Sequence, residues 1–147
     1  MVTQNLGQFT LEQVLDASQD NLNSLSFVTI AFLKEHNLPP IELWHFIGKR
    51  FAQQWGLGKD AMQMAEGSAI NWVSIGAKLV EISGDEAHST VVLSDWPPVK
   101  VMEKYNVQPG DAENMLEIMR PIAKRLGFDY EWKREGDRII QIYTKKG

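Results

Sequence analysis

The chain has 147 residues, a length common for one domain, and its 44% hydrophobic and 23% charged residues are ordinary for a globular fold. It has no cysteine, which excludes a disulfide framework, a zinc–thiolate site and a catalytic thiol, and which fits a reducing, cytoplasmic location. A net charge of −4 argues against a nucleic-acid partner, because a positive footprint supplies most non-specific affinity there.

Apolar runs are broken by charges well before the roughly 18 residues of a membrane span, and Met1 to Gln8 show no basic segment followed by an apolar one. No repeat, linker or low-complexity run divides the chain, so residues 1–147 read as a single α+β domain.

In chain order, Thr10-Leu-Glu-Gln13 is a capping box that opens a helix carrying Leu11, Val14 and Leu15 on one face. Leu22, Leu25, Val28, Phe32 and Leu33 continue at helical spacing to about Asn37 and predict an inward stripe. Pro39-Pro40 ends that helix and starts the next, whose stripe is Ile41, Trp44, Ile47, Phe51 and Trp55, with Gly56 as its cap. A further helix is expected from about Asp60 to Ile75, with Met62, Ala65, Ala69, Trp72 and Val73 inward.

The pattern then turns to strands. Lys78–Ile82 and Ser89–Leu93 flank Gly84-Asp85 as a hairpin, and Trp96-Pro97-Pro98 ends the pair. A short helix is expected over Val99–Tyr105. Another should run from an N-cap at Asp111 to Leu126, kinked at Pro121, which cannot donate a backbone hydrogen bond. A last hairpin alternates Phe128, Tyr130 and Trp132 with Asp129, Glu131 and Lys133, and returns through Ile140 and Ile142 after the turn Glu135-Gly136-Asp137. Two hairpins alone are marginal, so they should form one antiparallel sheet with the N-terminal helical layer and the kinked helix on one side.

No motif names a reaction. Glu42 and His45 have the i, i+3 spacing of a helical metal pair, but a carboxylate-bridged site needs a second such pair and none exists, so no metal and no cofactor is expected. There is no Gly-x-Ser-x-Gly elbow and no phosphate loop, and Gly56-Leu-Gly58-Lys59 reads as a plain helix–helix turn. The basic residues near the C-terminus read as a solvated hairpin. His45, Glu42, Asp95 and Glu131 are the candidates for acid–base work. The concentration of Trp44, Phe51, Trp55 and Trp72 with Met62, Met64, Met115 and Met119 fits either a filled core or the wall of a site for an apolar small molecule, with His45, Tyr130 or Tyr143 as polar contacts.

The order helices, hairpin, helices, hairpin, and the closing segment Phe128-Asp-Tyr-Glu-Trp132 with Gly136-Asp-Arg-Ile-Ile140, resemble the 4-vinyl-reductase-type small-molecule-binding domain. That domain is akin to the ligand-binding fold of nitric-oxide sensors and Golgi transport-particle subunits. The same tail is similar to that of the aminothiazoline-carboxylate hydrolase-like proteins. The resemblance implies an apolar or aromatic ligand, often in a regulatory setting. Members often carry a cysteine just beyond the Gly-Asp turn, where this chain has Ile140, so it implies no metal-dependent role here.

Three functions therefore stand as expectations. The first is binding or sensing of an apolar small molecule between helices and sheet, lined by Trp44, Phe51, Trp55, Trp72, Met119 and Tyr130. The second is a cofactor-independent hydrolase or isomerase in the same cavity. The third is an assembly subunit whose aromatic helix stripe packs on another copy as a homodimer.

Overall fold

A computed structural model describes residues 7–56 and 58–147. The leader reading of Met1–Gln8, as far as Leu6, and the Leu57 position of the Gly56–Lys59 turn lie outside the described residues. The fold is α+β: helices α1 (Leu11–Glu35), α2 (Pro40–Ala52) and α3 (Ala61–Ser74), a hairpin of β1 (Lys78–Gly84) and β2 (His88–Ser94), then α4 (Val99–Tyr105) and α5 (Pro109–Glu113). A 3-10 segment (Asn114–Ile118) leads into α6 (Met119–Leu126), and the hairpin β3 (Phe128–Glu135) and β4 (Arg138–Lys145) closes the chain.

The strands form one antiparallel sheet in the order β1-β2-β4-β3. Its inward face carries Ser89, Val91 and Leu93, Ile139 and Tyr143, and Phe128 and Tyr130, all buried as the period-two alternation requires. Helix α3 packs across β1, β2 and β4 while α6 packs on β3. Thr90, Val92, Ile140 and Ile142 on the opposite face are only half-buried. No described helix is long and apolar enough to cross a membrane.

Local chemistry explains the boundaries. Thr10 and Gln13 form the expected capping box, each side chain bonding the other's backbone amide at 3.1 and 2.9 Å. Asp60 caps α3 by accepting from the Gln63 amide. Helix α2 ends at Ala52, so Trp55 and Gly56 lie beyond it and Gln53 is the C-cap. Asp111 is not a cap, because α5 already starts at Pro109.

The break in the next helix falls a turn earlier than expected. Pro121 is the third residue of α6, where its missing N–H is harmless. The preceding stretch is a 3-10 turn, closed by the Met119 N–H on the Glu117 and Leu116 carbonyls, so the interruption lies before the proline.

The largest departure concerns α1. Its core face is Asn23, Phe27 and Ile30, whereas Leu11, Leu15, Leu22, Leu25, Val28 and Phe32 are exposed. The polar Asn23 faces inward because its amide donates to the Ile75 carbonyl at 2.7 Å and its oxygen accepts from the Trp96 indole at 3.2 Å. Phe51 and Val73, expected inward, are also exposed, and Met62 is half-buried.

Helix α2 crosses the 3-10 segment and α6 at close range through Gly48, where an added Cβ would overlap the Ile118 carbonyl oxygen and Pro121 Cγ. Gly48→Ala is therefore expected to cost about 2 kcal/mol or more in urea unfolding. Gly110→Ala, with open space around the new Cβ, should stay within about 0.5 kcal/mol. Equal stability of both variants would show that the helices do not meet at Gly48.

Candidate functional site

Two arrangements stand out, one apolar and one charged. The apolar one is a half-open pocket of about 300 Å³ walled by helical segments and the residues that follow α2 and α3. Leu22 and Ser26 come from α1, and Trp44, Ile47 and Phe51 from α2. Trp55 follows α2, and Asn71, Trp72, Ser74 and Ile75 lie at the end of α3. Met115 and Ile118 of the 3-10 segment and Met119 of α6 complete the wall. The structure thus brings together Trp44, Phe51, Trp55, Trp72 and Met119. It leaves Met62, Met64 and Tyr130 outside, and no strand residue lines the cavity, so the site lies within the helical layer rather than between helices and sheet.

The polar side chains on this wall are turned back on their own helices. Ser26 Oγ donates to the Leu22 carbonyl at 2.8 Å, Asn71 Nδ2 to the Gly67 carbonyl at 2.7 Å, and Ser74 Oγ to the Asn71 carbonyl at 2.6 Å. Such back-bonding occupies both hydroxyl donors and one of the two amide donors of Asn71, and most of the wall is hydrocarbon and ring. The indole N–H groups of Trp44, Trp55 and Trp72 are buried and have no hydrogen-bond partner among the described residues. An unpaired buried donor costs on the order of 1–3 kcal/mol, and three of them lie in the residues of this one wall. Trp72 also packs against Trp96, ring centroids 5.0 Å apart.

The charged arrangement lies beside the cavity and centres on Glu117, a residue the sequence reading passed over. Its Oε2 accepts from His45 Nε2 at 2.9 Å and from Arg120 Nε at 2.6 Å; its Oε1 accepts from Arg120 Nη2 at 2.9 Å and Trp132 Nε1 at 2.7 Å. Arg120 also donates to the Tyr130 carbonyl at 2.7 Å. Burial alone would push the Glu117 carboxyl up, but hydrogen bonds from Arg120, His45 and Trp132, with the Arg120 charge, outweigh it and hold the pKa at about 2. Hydrogen bonding to Glu117 raises Arg120 in turn.

Four donors fill the roughly four lone-pair positions of a carboxylate, so Glu117 has no capacity left to take a proton from a substrate. It is an anchor. A signal for it was available: a carboxylate inside the apolar run Met115-Leu-Glu-Ile-Met119, followed three residues on by an arginine.

The expected acid–base set does not assemble. His45 is bonded to Glu117, while Glu42 is exposed in the first turn of α2. Asp95 follows β2 and pairs with Lys78 at 2.7 Å, and Glu131 is on the outward face of β3. None of the four lines the cavity.

Tyr130 is committed elsewhere. Its hydroxyl donates to the Leu116 carbonyl at 2.9 Å and accepts from Gln141 Nε2 at 2.8 Å, and Gln141 accepts from Ser68 at 3.0 Å. Burial pushes the hydroxyl pKa of Tyr130 and of Tyr143 up. Among the described residues no group of three or more histidine, aspartate or glutamate side chains is placed to hold a metal ion.

Three larger clefts are about as open as the apolar one or more so, the smallest of them, about 390 Å³, lying between Lys34 and Asp111. One of about 530 Å³ is lined by Arg120, Lys124, Asp129, Glu131 and Lys146 among others. Another, about 550 Å³, borders Trp96–Pro98 and Arg134, whose guanidinium is tied to Glu113 and to the Trp96 carbonyl.

The Glu117 anchor has a pH signature. A carboxyl at about 2 in the fold and at 4.5 otherwise contributes stability that is complete above pH 4.5 and is lost as pH falls toward 2. Acid titration of the unfolding free energy should show that loss, and Glu117→Gln should remove it while costing on the order of 2 kcal/mol at neutral pH. An acid limb unchanged by Glu117→Gln would contradict the anchor. No protein family matches the chain, and no curated protein is significantly similar to it.

Proposed function

We infer that the protein binds or senses an apolar small molecule in the cavity walled by Trp44, Trp72, Ile118 and Met119. The observation that carries this reading is the combination of about 300 Å³ of space with polar lining groups bonded to their own helices. A site of that size and character favours a ligand bound by ring faces and pliable thioethers. The three unpartnered indole donors further favour a ligand carrying an acceptor oxygen, reached by a small turn of a tryptophan side chain.

Kinship with the 4-vinyl-reductase-type domains is part of the proposal as an analogy, and it rests on the order of elements and, as motif, on the closing segment Phe128–Ile140. A cytoplasmic setting fits the cysteine-free composition. Binding is preferred over hydrolysis or isomerisation because His45 is engaged with Glu117 and no carboxylate lines the space.

Bromobenzene is a suitable probe, since its heavy atom quenches indole fluorescence on contact. It should quench the intrinsic emission saturably and raise the melting temperature. A concentration 100 times its dissociation constant corresponds to about 2.7 kcal/mol. Ser26→Phe, which places a ring in the cavity from its half-exposed edge, should abolish both effects. Quenching that is linear in concentration and identical in Ser26→Phe would remove the cavity from consideration.

A further inference from the structure

Helix α1 presents two faces to two different environments. Asn23, Phe27 and Ile30 seat its C-terminal half on the core, while Leu11 to Ser18 are exposed all round. On the side away from the core runs a second apolar stripe of Leu11, Leu15, Leu22, Leu25, Val28 and Phe32, with exposures of 69, 51, 46, 66, 44 and 54%. Scattered exposed leucines are ordinary, but a band along about six turns, broken at Ser18, marks an interaction surface.

We propose that this stripe is the interface of a homodimer, in which α1 packs antiparallel on the α1 of a second copy across a twofold axis. Three observations select that occupant. The first is area. Taking on the order of 150–200 Å² for each free side chain, the six exposures leave roughly 500–650 Å² of apolar surface per copy, the greater part of the roughly 800 Å² that each partner of a standard interface buries.

The second is charge. Between Leu11 and Leu33 the helix has Glu12, Asp16 and Asp20 but no lysine or arginine, whereas helices that lie on membranes carry basic polar faces. The third is symmetry. A single straight stripe is complementary to itself under a twofold axis. Full overlap from Leu11 to Phe32 brings each Leu11 opposite the other's Phe32, places Ser18 opposite Leu25, and sets the two Leu22 side chains near the axis.

Leu22 also lines the cavity, and Phe51, exposed at 55%, lies on the same wall. The stripe therefore runs into the mouth of the cavity, and Leu22 of the partner subunit covers it. This last step rests on the ligand-site reading; the interface itself does not.

The absence of cysteine makes the test direct. Sedimentation of the full chain at about 100 μM should give twice the chain mass, and Leu25→Glu should give a monomer with unchanged circular dichroism, because Leu25 makes no core contact. Leu22→Cys should form a disulfide-linked dimer on mild oxidation, while Asp16→Cys, on the other side of the same helix, should not. A monomeric wild-type chain, equal cross-linking at both positions, or flotation with phosphatidylglycerol vesicles would overturn the interface. Bromobenzene quenching should weaken at least several-fold in Leu25→Glu if the partner closes the mouth, and undiminished quenching there would overturn that role. A dimer that does not respond to bromobenzene at all would count against the ligand site while leaving the interface standing.

Discussion

One carboxylate joins most of the elements that shape the cavity. Glu117 sits in the 3-10 segment and collects donors from α2 through His45, from α6 through Arg120 and from β3 through Trp132. A buried charge is tolerable only when every lone pair is met, so these partners cannot drift independently. Because Met115, Ile118 and Met119 belong to the same stretch of chain, fixing Glu117 fixes the floor of the cavity. The close crossing at Gly48 presses α2 onto that floor, and Trp44, one turn earlier, becomes the opposite wall.

The space itself is left by what the surrounding helices cannot fill. Small side chains, Ser26 on α1 and Ser74 on α3, stand where α1, α2 and α3 approach one another. Their hydroxyls are satisfied by their own helices, so nothing polar reaches across to close the gap. Tryptophans flank it because a large ring can bury most of its surface along a wall without occupying the centre. Three indole N–H groups have no acceptor among the described residues.

Much of the architecture was legible in the sequence because its signals are local. The capping box at Thr10, the turns at Gly84-Asp85 and Gly136-Asp137, and the alternation in the last hairpin are set by neighbouring residues. The orientation of α1 was not, since periodicity shows that a helix has an apolar face but not what covers it. Here the core took the side bearing Phe27 and Ile30, and Asn23 followed because the Ile75 carbonyl and the Trp96 indole were there to meet it.

Trp44, Phe51, Trp55, Trp72 and Met119 were readable as a set from composition and helical spacing. Tyr130 was not separable from them, because its hydroxyl is engaged through a contact with Gln141 that only the sheet register creates. Glu117 escaped notice for a related reason. A lone acidic residue in an apolar run looks like a helix's wet edge until its donors, up to 72 residues away in sequence, are in place.

The proposed ligand is a small apolar molecule that enters among the tryptophans and rests against the methionines of the 3-10 segment and α6. Carbon-13 methyl labelling of methionine reads that contact directly. Added benzene should shift the Met115 and Met119 methyl resonances, which line the cavity, through the current of its ring. The buried Met64, which does not line it, should stay unmoved. Shifts absent from Met115 and Met119, or shared equally by Met64, would contradict the account.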